Sequence, residues 1–297
     1  FEPYTLHVFD LSYYSGKMQA YLAYKGIPHR VHEITWLELV QRVAPRTGLV
    51  EVPVVERADG VLLRDSTAMI EWFEQRYPHA PILPDDPAAA YLCRLLEDYA
   101  DEGLWRPAMY YRWAFRKDAL LDARRFTEDF MRFPLMPPAL LRVTARRRQQ
   151  RTYVRGLGVT TENRSDVERH YRDELADLEG VFRRRPFLFG ERPSLADFGY
   201  FASMFRHFSI DPTPARIMRN EAPACGTRAP IALTADALRA WALARGRPST
   251  TACRPDWRRF SSARRGAISP FFTPTRKPSP SVANATPSRS TARCIRD

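Results

Sequence analysis

The stretch that decides the fold is residues 52–70, VPVVERADGVLLRDSTAMI. Pro53 cannot donate a hydrogen bond to a β-ladder, so we expect it at the start of a strand. The Ala-Asp-Gly sequence at residues 58–60 is typical of a hairpin turn. A second strand at residues 61–64 and a helix at residues 67–77 are predicted to follow it.

Two polar residues stand where this helix begins, at positions at which the first backbone amides of a helix have no partner. Asp65 and Ser66 therefore either cap the helix or bind the charged end of a ligand. If the Val52–Pro53 bond is cis, the backbone of Val52 turns outward and can pair with an extended, peptide-like ligand. The alternative is an ordinary hairpin followed by an ordinary helix cap.

Hydrophobic periodicity upstream of this stretch predicts two strands that alternate with two helices. The resulting order is β-α-β-α-β-β-α, which is typical of a thioredoxin-like domain. We expect the first two strands to be parallel and the last two to be antiparallel. The predicted upstream elements are strands at residues 5–9 and 29–34, a polar loop at 10–16, a helix at 17–25 ended by Gly26, and a helix at 36–43 closed by Pro45 and Gly48.

Five motifs make residues 1–223 resemble the cytosolic glutathione S-transferases. The resemblance implies a glutathione transferase fold: an α/β thioredoxin-like N-terminal domain followed by an all-α C-terminal domain. It also implies that Ser194 and Asp197 form a capping box in a buried helix. The motifs are LSYYSGK at residues 11–17, AYKGIP at 23–28, the Val52–Pro53 pair, DSTAMI at 65–70 and FGERPSLADF at 189–198.

The same resemblance assigns the chemistry to the loop after the first strand. Ser12 matches the catalytic position of serine-type and cysteine-type members, where a hydroxyl can stabilise the thiolate of glutathione, the attacking species. The dipole of the helix that follows would also stabilise the thiolate. Tyr13, Tyr14 or Ser15 could supply the hydroxyl instead, and Ser12 could be only a helix cap. The loop has no cysteine, which argues against chemistry through a mixed disulfide.

For glutathione itself, the resemblance implies that Asp65 and Ser66 hold the γ-glutamyl end and that Val52 pairs with the cysteinyl backbone. Arg42 or Arg46 could meet the glycyl carboxylate. The implied function is an enzyme that conjugates reduced glutathione, as co-substrate, to a small apolar electrophile. The alternative is a non-catalytic binding or regulatory protein of the same fold. The predicted glutathione-binding residues are Tyr13, Tyr14, Val52, Pro53, Asp65 and Ser66.

The predicted organisation is a glutathione-binding domain at residues 1–77, a proline-rich linker at 78–87 and a helical substrate domain at 88–223. Helical patterns are clearest at residues 91–99 and 165–182. Between them, Trp105, Tyr110 and Tyr111 either line the electrophile pocket or pack in the core. The arginine-rich segment ARRRQQR at residues 145–151 could bind nucleic acid or anionic lipid, or form a solvated helix face.

Residues 224–297 have a different composition. They hold fourteen basic and three acidic residues, a net charge of +11 out of +12 for the whole chain. We expect this tail to be disordered, apart from a short helix at residues 237–244. It is either the product of a frameshift, which would remove the last packing helix and expose apolar surface, or a basic arm that binds nucleic acid.

Membrane, targeting, metal-ligand and cysteine patterns restrict the possible functions further. No apolar run is long enough to cross a membrane, and no signal peptide or metal-ligand spacing is visible. Cys93 is the one cysteine before the tail, which favours a reducing, cytoplasmic location without disulfides. The resemblance implies a homodimer, while nucleic acid and membranes are not expected as partners of the folded part.

Overall fold

The computed structural model describes residues 3–131 and 136–226. The N-terminal part contains four strands and their connecting helices, in the predicted order. The strands are β1 (Tyr4–Val8), β2 (His29–Glu33), β3 (Val54–Glu56) and β4 (Leu62–Arg64). The helices are α1 (Tyr13–Lys25), α2 (Trp36–Glu38), a π-helical turn at Leu39–Val43, α3 (Ala44–Thr47) and α4 (Ser66–Arg76).

These strands form one mixed sheet in the order β2-β1-β3-β4. β1 and β2 are parallel, and β3 is antiparallel to both β1 and β4. The predicted thioredoxin-like domain and its strand directions are therefore confirmed. The sheet and the helices on it bury Tyr4, Leu6, Val55 and Phe73 completely.

Two local predictions were wrong about where a helix begins or ends. α1 begins at Tyr13, one turn before the predicted start at residue 17, because the Ser12 side chain accepts a hydrogen bond from the Ser15 amide and caps the helix. Pro45 does not close the second helix but lies in the first turn of α3, where a proline needs no amide partner. Gly48, with φ of 75°, ends α3 as predicted.

The rest of the described chain is almost wholly helical. Its α-helices are α5 (Pro87–Asp98), α6 (Trp105–Ala114), α7 (Arg116–Arg125), α8 (Pro138–Gln149), α9 (Arg164–Phe182), α10 (Leu195–Tyr200) and α11 (Pro212–Glu221). π-Helical turns at Tyr99–Gly103, Phe126–Met131, Gln150–Arg155 and Phe201–Phe205, and a 3₁₀ turn at Phe208–Ile210, continue or connect them. Within the described ranges, no helix is long and apolar enough to span a membrane.

The buried helix α10 packs on α5 and α1, as the C-terminal motif implied. The Asp197 carboxylate accepts hydrogen bonds from the Ser194 amide at 2.8 Å, the Ser194 hydroxyl at 2.6 Å and the Leu188 amide at 2.8 Å. These bonds satisfy donors at the start of a helix that is buried along its whole length. The serine and aspartate are therefore structural residues.

The described chain continues just beyond the expected end of the helical domain at residue 223. Residues 223–226 form one more helical turn, in which Cys225 is completely buried and its amide donates to Glu179 Oε2 at 2.9 Å. The predictions for the tail, including the short helix at residues 237–244, lie from residue 227 onward outside the described residues.

Candidate functional site

A cavity of about 750 Å³ lies between the thioredoxin-like domain and the helical part. Residues from both parts of the chain line it, and its N-terminal side includes most residues singled out in the sequence. The structure brings together Ser12, Tyr13, Tyr14, Val52, Pro53, Asp65 and Ser66, with Trp105 from the helical side. Residues up to 93 positions apart in sequence, from Ser12 to Trp105, thus share one candidate ligand site.

Ser12 lies at the N-terminus of α1 and lines this cavity. Its amide donates to the carbonyl of Phe9 at 2.8 Å, and its Oγ accepts from the Ser15 amide at 3.2 Å. Because a hydroxyl can accept and donate at once, this capping bond leaves the Ser12 proton available for a ligand. Ser15 Oγ instead accepts from the amide of Phe9 at 3.3 Å, and Ser15 does not line the cavity.

The two tyrosines after Ser12 have their hydroxyl protons engaged elsewhere. Tyr13, completely buried, donates to the carbonyl of Ala100, and Tyr14 donates to the carbonyl of Asp101 at 3.2 Å. Burial, and next the Asp101 carboxylate, raises the pKa of both phenols well above the usual value. Both tyrosines therefore stay neutral and connect α1 to the turn after α5, and their rings form part of the cavity wall.

Asp65 caps α4 and also lines the cavity. Its Oδ1 accepts from the amides of Thr67 at 3.0 Å and Ala68 at 3.3 Å, and its backbone has φ of 67°, in the left-handed region. Ser66 is buried and lines the cavity, and no residue in the described ranges hydrogen-bonds its hydroxyl. The start of α4 thus contributes a hydroxyl and a carboxylate to the lining of the cavity.

The Val52–Pro53 bond is cis, and both residues line the cavity immediately before β3. The two candidates for a glycyl carboxylate do not reach it. Arg46 pairs with Glu56 at 3.2 Å and donates to the carbonyl of Gly60, and neither it nor Arg42 lines the cavity. Arg64, next to Asp65, is the arginine that lines this side.

The helical side of the cavity is rich in aromatic side chains. Trp105, Met109, Arg112 and Trp113 follow one another at helical spacing on one face of α6, and this face lines the cavity. Further aromatic side chains that line the cavity are those of Phe9, Trp36, Phe126, Phe130 and Tyr153. Phe9 and Phe130 stack with ring centroids 4.4 Å apart, which joins the sheet to the helical part.

Tyr110 and Tyr111 do not line this cavity, so their assignment to the electrophile pocket requires correction. They lie on the other side of α6, where Tyr110 donates to Glu168 Oε1 at 2.7 Å. The Tyr111 ring stacks on Phe115 at 5.0 Å and packs edge-on against Tyr171. Their side chains belong to the helical core, the alternative that the sequence left open.

A buried charge cluster lies between α1, α4 and α5, next to the cavity. Lys17 forms ion pairs with Glu97 and Asp101, and the Thr67 hydroxyl donates to Glu97 Oε1 at 2.7 Å. One lysine thus faces two carboxylates. Burial, opposed by Lys17, raises the pKa of Asp101 to about 7. Burial alone would lower the pKa of Lys17, but the two carboxylates outweigh it and raise that pKa.

Two buried arginines from the helical part hold the loop that carries Ser12. Arg206 Nη2 donates to the carbonyl of Asp10 at 3.0 Å. Arg112 Nη1 donates to the carbonyl of Leu11 at 3.1 Å, while its Nε donates to Asp211 at 2.9 Å. Sequence patterns did not reveal either role, because the donors and their acceptors are about 100 and 200 residues apart.

The described residues contain no group of histidine, cysteine, aspartate or glutamate side chains that could hold a metal ion. Cys93 and Cys225 are both buried free thiols. Burial raises the pKa of each, so neither thiol is activated as a nucleophile. Among the described residues, the candidate chemistry of the cavity therefore rests on hydroxyl, amide and charged groups.

Known proteins that match this chain in sequence support the thioredoxin-like fold of its N-terminal part. Residues 6–81 match the family model described as Glutathione S-transferase, N-terminal domain. Over this segment the chain resembles the glutathione S-transferases. A curated relative, the stringent starvation protein A homolog of Coxiella burnetii, is 30% identical over 92 residues, which cover 31% of this chain and 44% of the relative. The match therefore spans less than half the length of that relative.

Solved structures with a similar course of the chain include two bacterial glutathione S-transferases. The one from Rhodospirillum rubrum F11 is 18% identical, with 85% of this chain and 94% of that chain covered and a TM-score of 0.47. The one from Methylobacillus flagellatus KT, solved with glutathione bound, is 20% identical, with coverage of 77% and 94% and a TM-score of 0.44.

Proposed function

We propose that this protein binds reduced glutathione in the cavity and conjugates its thiolate to an electrophilic small molecule. The observation that supports this most is the convergence of Ser12, the cis Val52–Pro53 pair and Ser66 on one cavity, whose helical side includes the aromatic face of α6. The glutathione-binding residues in this proposal are Tyr13, Tyr14, Val52, Pro53, Asp65 and Ser66, of which the two tyrosines contribute through their rings.

In the proposed reaction, the Ser12 hydroxyl donates a hydrogen bond to the glutathione sulfur. This bond and the N-terminus of α1 favour the thiolate, so the thiol proton passes to water. The sulfur then attacks the electrophilic carbon, a carbon–sulfur bond forms, and the leaving group departs with the bonding electron pair. Asp65 and Ser66 would hold the γ-glutamyl end at the N-terminus of α4, and the backbone of Val52 would pair with the cysteinyl unit.

Glutathione binding can be tested by calorimetric titration of the full chain with reduced glutathione. We expect saturable binding at one site per chain. Ser66→Ala should weaken the affinity about tenfold, because a hydrogen bond to a charged group contributes this much. Ser165→Ala, which removes an exposed serine hydroxyl on α9, is the matched control. Unchanged affinity in Ser66→Ala would remove this site from the proposal.

A second candidate function is supported by the match to a stringent starvation protein A homolog, whose name is not that of a transferase. In this reading the fold binds a ligand or partner without turnover, and Ser12 only caps α1. Turnover of a generic aryl halide with glutathione separates the two functions. Binding of glutathione without any turnover would favour the non-catalytic one.

The proposal also includes a homodimer and a cytoplasmic location, both implied by the resemblance. The exposed side chains of Tyr91, Leu92 and Leu95 on α5 provide an apolar face for a second copy. Two buried thiols without a disulfide are consistent with a reducing compartment. Sedimentation velocity on the full chain would test the dimer.

A further inference from the structure

Two buried side-chain atoms in the cavity lining have no hydrogen-bond partner among the described residues, and both are acceptors. They are Oδ1 of Asp101 and Oε1 of Gln149, and each of these residues is 5% exposed. The other carboxylate oxygen of Asp101, Oδ2, is held by Lys17. A buried acceptor without a partner costs free energy. The group that the cavity lacks is therefore a hydrogen-bond donor.

The lining also carries an excess of negative charge. Among the described residues that line the cavity, six are acidic and three are basic. One of the basic residues, Arg112, is already paired with the buried Asp211 at 2.9 Å, and Lys17 offsets only one charge of Glu97 and Asp101. The cavity therefore favours a cation over an anion. The acidic lining residues are Glu51, Asp65, Glu97, Asp98, Asp101 and Glu102.

Three of these acidic residues are close together at the end of α5, and we call them the acidic wall. Asp98 is the last residue of α5, while Asp101 and Glu102 lie in the π-helical turn that follows. Asp98 and Glu102 are exposed, and Asp101 is buried. The wall thus combines two solvated carboxylates with one buried carboxylate that has a free acceptor. An ammonium group, with one positive charge and three donors, suits this combination.

Aromatic rings adjoin the acidic wall. Tyr14 donates to the backbone carbonyl of Asp101 at 3.2 Å, and its ring stacks on Trp105 with centroids 5.9 Å apart. Trp105 in turn packs edge to face with Tyr153, with centroids 5.8 Å apart. All three rings line the cavity. Such rings attract cations through their faces and also pack against other aromatic groups.

From this arrangement we infer that the electrophile is an aromatic compound with an ammonium group, which the acidic wall binds. The aromatic part of the compound packs against Trp105 and Tyr153. This inference rests on the proposed function and names the substrate class for the same cavity. It replaces the purely apolar electrophile that the family resemblance implies with a cationic one.

The titration of Asp101 makes binding of a cation depend on pH. Burial raises the pKa of this carboxyl to about 7, so the group is mostly protonated at pH 6 and mostly ionised at pH 8. A bound ammonium group favours the ionised form and must displace the proton at pH 6. The preference for a cation should therefore increase severalfold from pH 6 to pH 8. The titratable groups that face Asp101 are Lys17, Glu97, Glu102 and the phenols of Tyr13 and Tyr14.

The test compares two electrophiles with the same reactive centre. N-(2-aminoethyl)-4-chloro-3-nitrobenzamide carries an ammonium group, and N-propyl-4-chloro-3-nitrobenzamide is its neutral analogue of equal length. In both, the glutathione sulfur attacks the carbon that carries chlorine, the carbon–sulfur bond forms, chloride leaves with the bonding pair, and the thiol proton passes to water. Each kcat/KM at pH 8 is divided by the uncatalysed rate constant. We expect the protein to prefer the ammonium compound by about tenfold or more.

Variants of the acidic wall locate the source of this preference. Asp101→Asn should lower it by roughly tenfold. The double variant Asp98→Asn with Glu102→Gln changes only exposed residues and should lower it by roughly threefold or more, which keeps the test decisive if Asp101→Asn does not fold. Asp173→Asn removes the same charge from an exposed position of α9 that does not line the cavity, and should leave the preference unchanged.

Two results with these variants would overturn the inference. One is an equal loss of preference in Asp173→Asn and in the variants of the acidic wall. The other is an unchanged preference together with a weaker affinity for glutathione itself, because the wall would then bind the ammonium group of the γ-glutamyl unit. Both electrophiles react with the same glutathione, so their ratio reports only on the group that differs between them.

A binding measurement keeps the inference independent of turnover. At pH 8 the glutathione conjugate of the ammonium compound should bind about tenfold more tightly than the conjugate of the propyl compound. The difference should shrink severalfold at pH 6, and Asp101→Asn should remove this pH dependence. If both conjugates bind equally at pH 8, the inference fails and the proposed function stands. If neither conjugate nor reduced glutathione binds to the folded protein, both fail.

Discussion

Gly16 lies in the first turns of α1 with the Arg206 side chain directly against it. A Cβ added at Gly16 would overlap Arg206 Cγ and lie 2.8 Å from its Cβ and Cδ. The guanidinium beyond these carbons donates to the carbonyl of Asp10. The absence of a side chain at position 16 therefore allows the helical part to hold the loop that carries Ser12.

We expect Gly16→Ala to destabilise the protein by about 1–3 kcal/mol, because the extra methyl group overpacks this buried contact. Gly180→Ala in α9 is the matched control. No atom lies within 4 Å of its added Cβ, so it should stabilise the protein by about 0.5–1 kcal/mol. Urea denaturation of both variants measures the two effects. Equal stability of the two variants would contradict the assigned contact.

Ser12 provides a second prediction at this scale, which separates catalysis from capping. In Ser12→Ala the thiolate loses a donor, so the pKa of bound glutathione should rise and the midpoint of the kcat–pH profile should move up by about one to two pH units. Ser12→Gly removes the hydroxyl while retaining an acceptable cap residue. A loss of stability in Ser12→Ala, with no movement of the pH midpoint in either variant, would show that Ser12 is only a cap.

At the scale of the elements, the cluster of Lys17, Glu97 and Asp101 joins α1 to α5. Its one cation cannot neutralise both carboxylates, and burial raises the pKa of Asp101 from its usual value near 4 to about 7. Between these values the folded state keeps a proton that the unfolded state has lost. The contribution of Asp101 to the free energy of unfolding therefore falls as the pH rises from about 4 to about 7.

Asp101→Asn should remove this pH dependence. We compare the free energy of unfolding of the original protein with that of the variant at each pH. The difference, original minus variant, should fall by about 2 kcal/mol between pH 5 and pH 8. Urea denaturation at both pH values checks this. Asp98→Asn, at the exposed last residue of α5, should show no such difference. A difference that is constant with pH would mean that Asp101 is ionised throughout this range.

At the scale of the whole molecule, the described residues that line the cavity all lie between Phe9 and Tyr153. Most of the net charge of +12 lies instead in the tail, beyond the described chain. The cavity and most of the net positive charge therefore belong to separate parts of the sequence. The helical turn at residues 223–226 packs on α9 and is the last described segment.

Deletion of residues 227–297 should leave the affinity for glutathione unchanged within about twofold, because it removes no described cavity residue. The same deletion should abolish any salt-sensitive binding to duplex DNA, since the net charge falls from +12 to +1. Calorimetry and a mobility shift at two salt concentrations measure these effects. If the deletion abolishes glutathione binding, the tail contributes to the binding site.

Sequence patterns located the features of this protein that local interactions determine. The order of strands and helices follows from hydrophobic periodicity. Ser12, Asp65 and the Ser194–Asp197 capping box make hydrogen bonds to residues close in sequence at the starts of their helices. For the same reason, the candidate glutathione-binding residues at the N-termini of α1 and α4 could be identified from the sequence and from its family resemblance.

Only the tertiary structure decided which side chains meet across the two parts of the chain. It placed Trp105 and Trp113 in the cavity but Tyr110 and Tyr111 in the core, because neighbouring positions on a helix point in directions about 100° apart. It also brought Gln149 to the cavity wall, where its amide oxygen has no hydrogen-bond partner among the described residues. Such contacts depend on how distant elements pack, and periodicity within one element carries no information about them.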